Sequence, residues 1–140
     1  MSETTILLVD DEPDILETTK ALLERSGYRV ITAVNGFEAL GAARICKPDL
    51  ILLDVMLPGE NGYRVARTLR EDEALGVYEH PNRIILITAR DLSSDPEREQ
   101  LFQDFAKPDR VHYKPFDFDQ LLAQIEDVLS TVRSDSDDAG

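Results

Sequence analysis

The amino-acid sequence predicts an α/β domain, a doubly wound parallel sheet of five strands with a helix after each. Short β-rich apolar runs alternate along the chain with stretches whose apolar residues recur at helical spacing. Two of the runs, Leu50-Ile51-Leu52-Leu53 and Ile84-Ile85-Leu86-Ile87, are apolar throughout, as strands covered on both faces are. Five such alternations imply right-handed crossovers and helices on both sides of the sheet.

The elements follow in order. Thr5-Ile6-Leu7-Leu8-Val9 reads as the first strand, stopped by Asp10-Asp11. A helix follows with Pro13 in its first turn, where a missing N–H costs nothing. Ile15, Leu16, Thr19, Leu22 and Leu23 share one face, and Gly27 ends the helix. Arg29 to Ala33 is the second strand. Asn35 is an N-cap for a helix carrying Ala39, Leu40 and Ala43, which Pro48 stops. The third strand starts at Asp49. After a loop at Leu57-Pro58-Gly59-Glu60, a third helix is expected over about Gly62 to Arg70, with Asn61 as its cap. The fourth strand is Ile84 to Ile87, and Pro96 opens a helix to Phe105. Arg110 to Tyr113 is a short fifth strand. Asp117 to Val132 is the last helix, with Leu121, Leu122, Ile125, Val128 and Leu129 on one face.

Composition bounds the function. The chain has 140 residues, 42% hydrophobic and 31% charged, an ordinary globular balance sufficient for one domain. No apolar run approaches the roughly 18 residues of a membrane span, so no membrane insertion is expected. The start lacks a basic segment and a small-residue cleavage site, which makes the cytoplasm the expected location. A net charge of −13 argues against direct nucleic-acid binding. The acidic end, residues 133–140, has no apolar face to bury; it is expected to be disordered, as a native terminus or a linker stub. The single cysteine, Cys46, reads as a small helix-packing residue. Two histidines, His80 and His112, are too few for a zinc site.

In parallel sheets the ligand site lies beyond the carboxyl ends of the strands. Four of the five strands end there in polar residues: Asp10-Asp11, Asp54, Thr88 and Lys114. If the first and third strands are neighbours, three carboxylates converge. Two like charges about 4 Å apart repel by roughly 4 kcal/mol at an effective dielectric of 20. Such a cluster holds a proton or binds a cation, and an all-oxygen, incomplete shell suits Mg²⁺. A carboxylate beside that ion is a nucleophile towards phosphorus, Lys114 adds positive charge, and the Thr88 hydroxyl donates to phosphoryl oxygens. Taken singly, these residues are bland. An Asp-Asp pair is usually a turn, Thr88 a strand-end hydroxyl, Lys114 a surface lysine. Their common position gives them weight.

These residues resemble the receiver family of two-component response regulators. The resemblance covers about residues 4 to 132 and rests on ILLVDDEP, DLILLDVMLPGENG, IILITAR and YKPF, in the family's order and near its spacing. It implies a flavodoxin-like sheet with strand order 2-1-3-4-5, an arrangement for which a receiver protein is a standard example. A receiver domain over residues 1–132 follows. It implies that Asp54 is the phosphoacceptor and that Mg²⁺ or Mn²⁺ is held by Asp10, Asp11, Asp54 and the backbone carbonyl of Met56. Thr88 is then the switch hydroxyl, and Lys114, followed by a cis Pro115, contacts the phosphoryl group. The implied partners are a sensor histidine kinase or histidine phosphotransfer protein, and a downstream effector protein or output domain. The output face is that of the fourth helix, fifth strand and fifth helix.

Two features depart from the family pattern. Val111 stands where the family often has an aromatic residue; Tyr113, two residues on, projects on the same side, as packing or as a substitute switch. The segment between Thr88 and Lys114 is longer than usual and contains a second Lys-Pro pair at Lys107-Pro108. Lys114 is preferred because a strand precedes it. The stretch from Ala74 to Pro81 is extended as well.

The leading reading is therefore a phosphorylation-controlled interaction module. It catalyses only its own phosphoryl transfer and dephosphorylation. A receiver-like scaffold that binds partners without phosphorylation is the alternative. An aspartyl-phosphate phosphohydrolase is a weaker one, because that chemistry places an acid two residues after the nucleophile, and Met56 stands there. No Gly-rich loop follows the first strand, which sets a nucleotide-binding domain aside.

Overall fold

Strands and helices alternate without exception in the computed structural model, which describes residues 4–89, 96–114 and 117–130. In chain order they are β1 (Thr5–Val9), α1 (Pro13–Arg25), β2 (Arg29–Ala33), α2 (Gly36–Cys46), β3 (Leu50–Asp54), α3 (Gly62–Ala74), β4 (Ile84–Ala89), α4 (Pro96–Ala106), β5 (Arg110–Lys114) and α5 (Phe118–Ser130). The strands form one parallel sheet in the order β2-β1-β3-β4-β5. The chain thus reverses its direction of travel between β1 and β3, and that gap opens the crevice where such sheets bind ligands.

Period-two alternation divides the apolar side chains between the two faces. Ile6, Leu8, Leu50, Leu52, Ile85 and Ile87 pack under α1 and α5 against Leu23, Leu121, Ile125 and Val128. Leu7, Val9, Ile51, Leu53, Ile84 and Leu86 pack on the other face beneath α2, α3 and α4. The two central runs are apolar because both of their faces are covered. Truncating one of these leucines to alanine costs about 2–5 kcal/mol.

Local signals end the helices where expected. Asn35 Oδ1 accepts from Glu38 N at 2.8 Å, and Asn61 Oδ1 from Arg64 N at 3.0 Å. After α1, Gly27 adopts φ +99°; its N–H bonds Glu24 O, and Tyr28 N bonds Leu23 O. That pair of bonds is a Schellman cap, and its left-handed residue favours glycine.

Three expectations need adjustment. The helix expected to stop near Arg70 continues to Ala74, because Arg70 pairs with Glu73 at 2.9 Å and Asp72 with Arg44 at 2.9 Å. A second Schellman cap at Gly76 then closes it. Cys46 is not a packing residue, since it is exposed at the end of α2. The last helix spans Phe118–Ser130, with Asp117 Oδ1 accepting from Gln120 N at 3.2 Å. Residues 131–132, expected in that helix, and the acidic segment 133–140 lie outside the described residues.

The extra length around β4 and β5 supports a polar cluster at the end of the sheet away from the crevice. Arg70 bonds Asn82 O at 2.7 Å, Lys107 O at 3.0 Å and Asp109 Oδ2 at 3.2 Å. Asp109 also receives Ile84 N at 2.7 Å. One guanidinium therefore ties α3 to the entries of β4 and β5. Lys107 belongs to this remote end, whereas Lys114 closes β5 at the crevice.

Candidate functional site

Two carboxylates and one ammonium meet beyond the carboxyl ends of β1, β3 and β5. Asp10 follows β1, and its main chain stays in register through Asp10 N donating to Ala33 O at 3.1 Å. Its side chain turns inward and is only 5% exposed. Oδ1 accepts from Glu12 N at 2.9 Å, a local turn that lets the chain enter α1. Asp54, the last residue of β3, is 2% exposed. Its Oδ1 accepts from Met56 N at 2.7 Å, and its Oδ2 from Lys114 Nζ at 2.9 Å. That ion pair bridges the sheet from β3 across β4 to β5.

The carboxyl groups of Asp10 and Asp54 are close enough for each charge to be felt by the other. Burial pushes the Asp10 carboxyl up to about 6; the Asp54 charge adds to the rise, while the Glu12 N–H and the Lys114 ammonium oppose it. Lys114 is raised as well. Desolvation lowers it, but the hydrogen bond and charge of Asp54, with Asp10 and Glu12 behind it, outweigh that cost. The pocket therefore carries one excess negative charge when both acids are ionised.

The expected convergence of three carboxylates is not what the side chains adopt. Asp10 and Asp54 meet, but Asp11 is exposed. Among the described residues no three histidine, cysteine, aspartate or glutamate side chains gather as a metal cluster. Successive side chains diverge along an extended chain, so Asp10 pointing inward sends Asp11 to the rim. The donor set still suits a hard cation. Two buried carboxylates, with a third at the rim, offer oxygen only, as Mg²⁺ requires.

Thr88 is buried near the end of β4 and pairs in register with Tyr113, one step beyond the Asp54–Ile87 pair. Its hydroxyl faces Tyr63 Oη on α3. Tyr63 Oη donates to Glu99 Oε1 at 2.6 Å, and Gln103 Nε2 donates to the same Glu99 oxygen and to Tyr113 Oη, each at 3.0 Å. Tyr113 thus packs against α4 with its hydroxyl tied to that helix. His112, facing the other way, contacts Gln124 Oε1 through Nδ1 at 2.8 Å. The peptide before Pro115 and the residues 90–95 after β4 lie outside the described residues.

Sequence reasoning missed three contributors. Gly62 donates to Val55 O at 2.8 Å, and a Cβ there would fall 2.8 Å from Val55 Cα. Only glycine lets α3 start so close behind Asp54. Glu12 adds its charge beside Lys114. Tyr63, at the second residue of α3, reads in the sequence as one more core aromatic; only its position reveals the bond to Glu99 and the approach to Thr88.

Comparison with known proteins agrees with this arrangement. The model of the response regulator receiver domain matches residues 6–126. The chain is 33% identical over 127 residues to protein PilH of Pseudomonas aeruginosa, covering 89% of this chain and 97% of that protein. It is 48% identical over 90 residues to the alkaline phosphatase synthesis transcriptional regulatory protein PhoP of Bacillus subtilis, covering 64% of this chain and 35% of PhoP. It spans about half the length of several other curated relatives it matches. Among solved structures, the chemotaxis response regulator CheY4 of Vibrio cholerae matches with a TM-score of 0.77 at 28% identity, over 91% of this chain and 99% of that one. With this sheet order, these strand-end residues and a match across most of its length, the chain belongs to the response regulator receiver domain family.

Proposed function

We propose that Asp54 is the phosphoacceptor of this receiver domain and that Asp10, Asp11, Asp54 and the Met56 carbonyl hold the divalent cation the reaction needs. Phosphorylation on aspartate is the general property of the family, and its members depend on Mg²⁺ in general. They receive the phosphoryl group from histidine kinases and act on output domains or targets, with no catalytic activity beyond their own phosphorylation. The observation that carries the assignment to Asp54 is its position: a buried carboxylate at the mouth of the crevice, bonded at 2.9 Å to Lys114.

The chemistry follows from the side chains. An Asp54 oxygen attacks phosphorus in line, an O–P bond forms, and the bond from phosphorus to the donor nitrogen or oxygen breaks as the donor leaves with its electron pair. Lys114, already paired with Asp54, follows the charge onto the phosphoryl oxygens. Asp10 is desolvated and crowded by Asp54; it gives up its proton most readily when a cation neutralises it. Held by Asp10, Asp11, Asp54 and the Met56 carbonyl, Mg²⁺ would supply positive charge to offset the surplus of carboxylate that a phosphoryl dianion meets here. Thr88 turns from Tyr63 to the new phosphoryl oxygens. Through the fourth helix, fifth strand and fifth helix, that exchange changes how a downstream effector protein or output domain is engaged.

The phosphohydrolase reading lacks its second acid, since Met56 offers none and its side chain is exposed. No helix among the described residues is long and apolar enough to cross a membrane; we assign the domain to the cytoplasm, beside a sensor histidine kinase or histidine phosphotransfer protein. The test is intact-mass measurement after incubation with Mg²⁺ and a small phosphodonor. One labile phosphoryl increment is expected, abolished by chelator and by Asp54→Asn. An unmodified protein under conditions that modify another receiver domain refutes the reading.

A further inference from the structure

The helix α4 turns much of its apolar surface away from the core. Of its described side chains only Ala106 is buried, while Leu101 is 69%, Phe102 36% and Phe105 43% exposed. These three line a groove of about 490 Å³ between α3 and α4, together with Tyr63, Arg64 and Arg98. The groove lies on the α3 flank of α4, away from β5 and α5.

Its rim is cationic in a chain of net charge −13. The Arg98 guanidinium sits 5.6 Å over the Phe102 ring, and the Arg67 guanidinium 5.1 Å over Phe105. Arg67 is engaged by Glu71 and the Phe105 carbonyl, whereas stacking fixes the Arg98 guanidinium plane at the rim beside Arg64, so that fork is set before a carboxylate arrives. Aromatic rings and arginine around an apolar floor are the composition of binding hot spots. A second copy of this acidic chain meets long-range repulsion as it approaches, whereas a segment that pairs a bulky apolar anchor with flanking carboxylates matches both floor and rim.

The groove is also wired to the phosphorylation site. Tyr63 stacks on Phe102 with ring centroids 5.1 Å apart and planes 18° from parallel. The same Tyr63 hydroxyl holds Glu99 of α4 at 2.6 Å and faces Thr88, buried near the end of β4. A Thr88 that turns towards a phosphoryl group releases Tyr63, and Tyr63 is part of the groove wall.

We propose that the α3–α4 groove is a docking surface for an acidic, amphipathic protein segment, and that Tyr63 makes its affinity depend on phosphorylation. The surface stands on its own geometry; the coupling rests on the phosphoacceptor reading given above. The probe is a fluorescent synthetic helix with Phe and Leu on one face and Glu along its edges, together with a twin carrying Lys for every Glu. Anisotropy titration reads affinity, amide NMR shifts read location, and intact mass reads phosphorylation in the same sample.

The Glu peptide is expected to bind with shifts centred on α3 and α4, and the Lys twin to bind at least about tenfold more weakly. Arg98→Glu with Arg64→Glu is expected to remove about tenfold or more of the affinity, since each lost charge-assisted bond is a large fraction of such a contact. Both residues are at the surface, and circular dichroism checks that the fold is kept. Phosphorylation is expected to change affinity about fivefold or more, the usual scale of coupled sites. Tyr63→Phe keeps the ring stack, and within that variant the ratio of phosphorylated to unphosphorylated affinity is expected to fall to about one. Equal binding of both peptides, or shifts elsewhere, overturns the surface. Dimerisation with rising concentration that Arg98→Glu removes assigns the groove to a second copy and overturns it too. Binding that ignores a phosphorylation seen by mass overturns the coupling alone. Absence of any adduct refutes the phosphoacceptor reading, and with it the coupling, while the peptide pair still decides the surface.

Discussion

Replacing Asp10 with asparagine is expected to stabilise the metal-free protein at neutral pH, although it removes a residue of the site. The carboxyl of Asp10 is raised from 3.8 to about 6 by burial and by Asp54. A shift of about two pH units corresponds to about 3 kcal/mol, which relaxation of the pocket reduces to about 1–3 kcal/mol. Asparagine keeps the oxygen that accepts from Glu12 N and loses only the charge. The sign follows from proton binding. Below pH 3.8 Asp10 is neutral in both states and costs nothing. Between 3.8 and about 6 the unfolded chain ionises first, so stability falls as pH rises; above about 6 the penalty is complete. Urea denaturation in chelator, at several pH values, should therefore give a wild-type-to-variant difference that grows from zero to its full value across that window. Added Mg²⁺ should stabilise the wild type more than Asp10→Asn. A destabilised variant, or a difference independent of pH, refutes the claim that Asp10 is held under electrostatic stress.

The same proton controls metal binding. Mg²⁺ affinity is expected to fall by up to about tenfold per pH unit below about 6, read by tryptophan-free methods such as calorimetry; a flat profile contradicts it. Gly62→Ala should cost about 2–3 kcal/mol, because its Cβ meets backbone rather than a yielding side chain. An unchanged thermal midpoint counts against that packing. Arg70→Met should cost about 2–3 kcal/mol by leaving Glu73, Asp109 and the Asn82 carbonyl short of a donor; denaturation with Mg²⁺ absent keeps this separate from the site.

The legible part of the molecule is the part written in periodicity. Leu50 to Leu53 and Ile84 to Ile87 announce covered strands, and Asn35, Asn61, Gly27 and Pro13 punctuate the helices as local chemistry requires. The strand order was legible only through resemblance, because alternation alone does not say which strand lies beside which. The site was legible as residues at strand ends, since topology carries those ends to one edge. Whether Asp10 or Asp11 turns inward is not in the pattern; it is decided by the turn that Glu12 N makes with Asp10. Helix α3 outlasts its apolar stripe because Arg70, Asp72 and Glu73 find partners distant in sequence. Tyr63 and Gly62 escaped notice for the same reason. A hydroxyl bond to Glu99 and a close backbone approach are properties of three dimensions.

The central claim is that Asp54 itself takes the phosphoryl group. Reductive trapping of the acyl phosphate, followed by peptide mapping, reads this directly, because borohydride converts only a phosphorylated carboxyl to the alcohol. A single converted residue at Asp54, dependent on Mg²⁺, is the predicted result. Conversion at Asp10 or Asp11 with Asp54 intact contradicts the assignment.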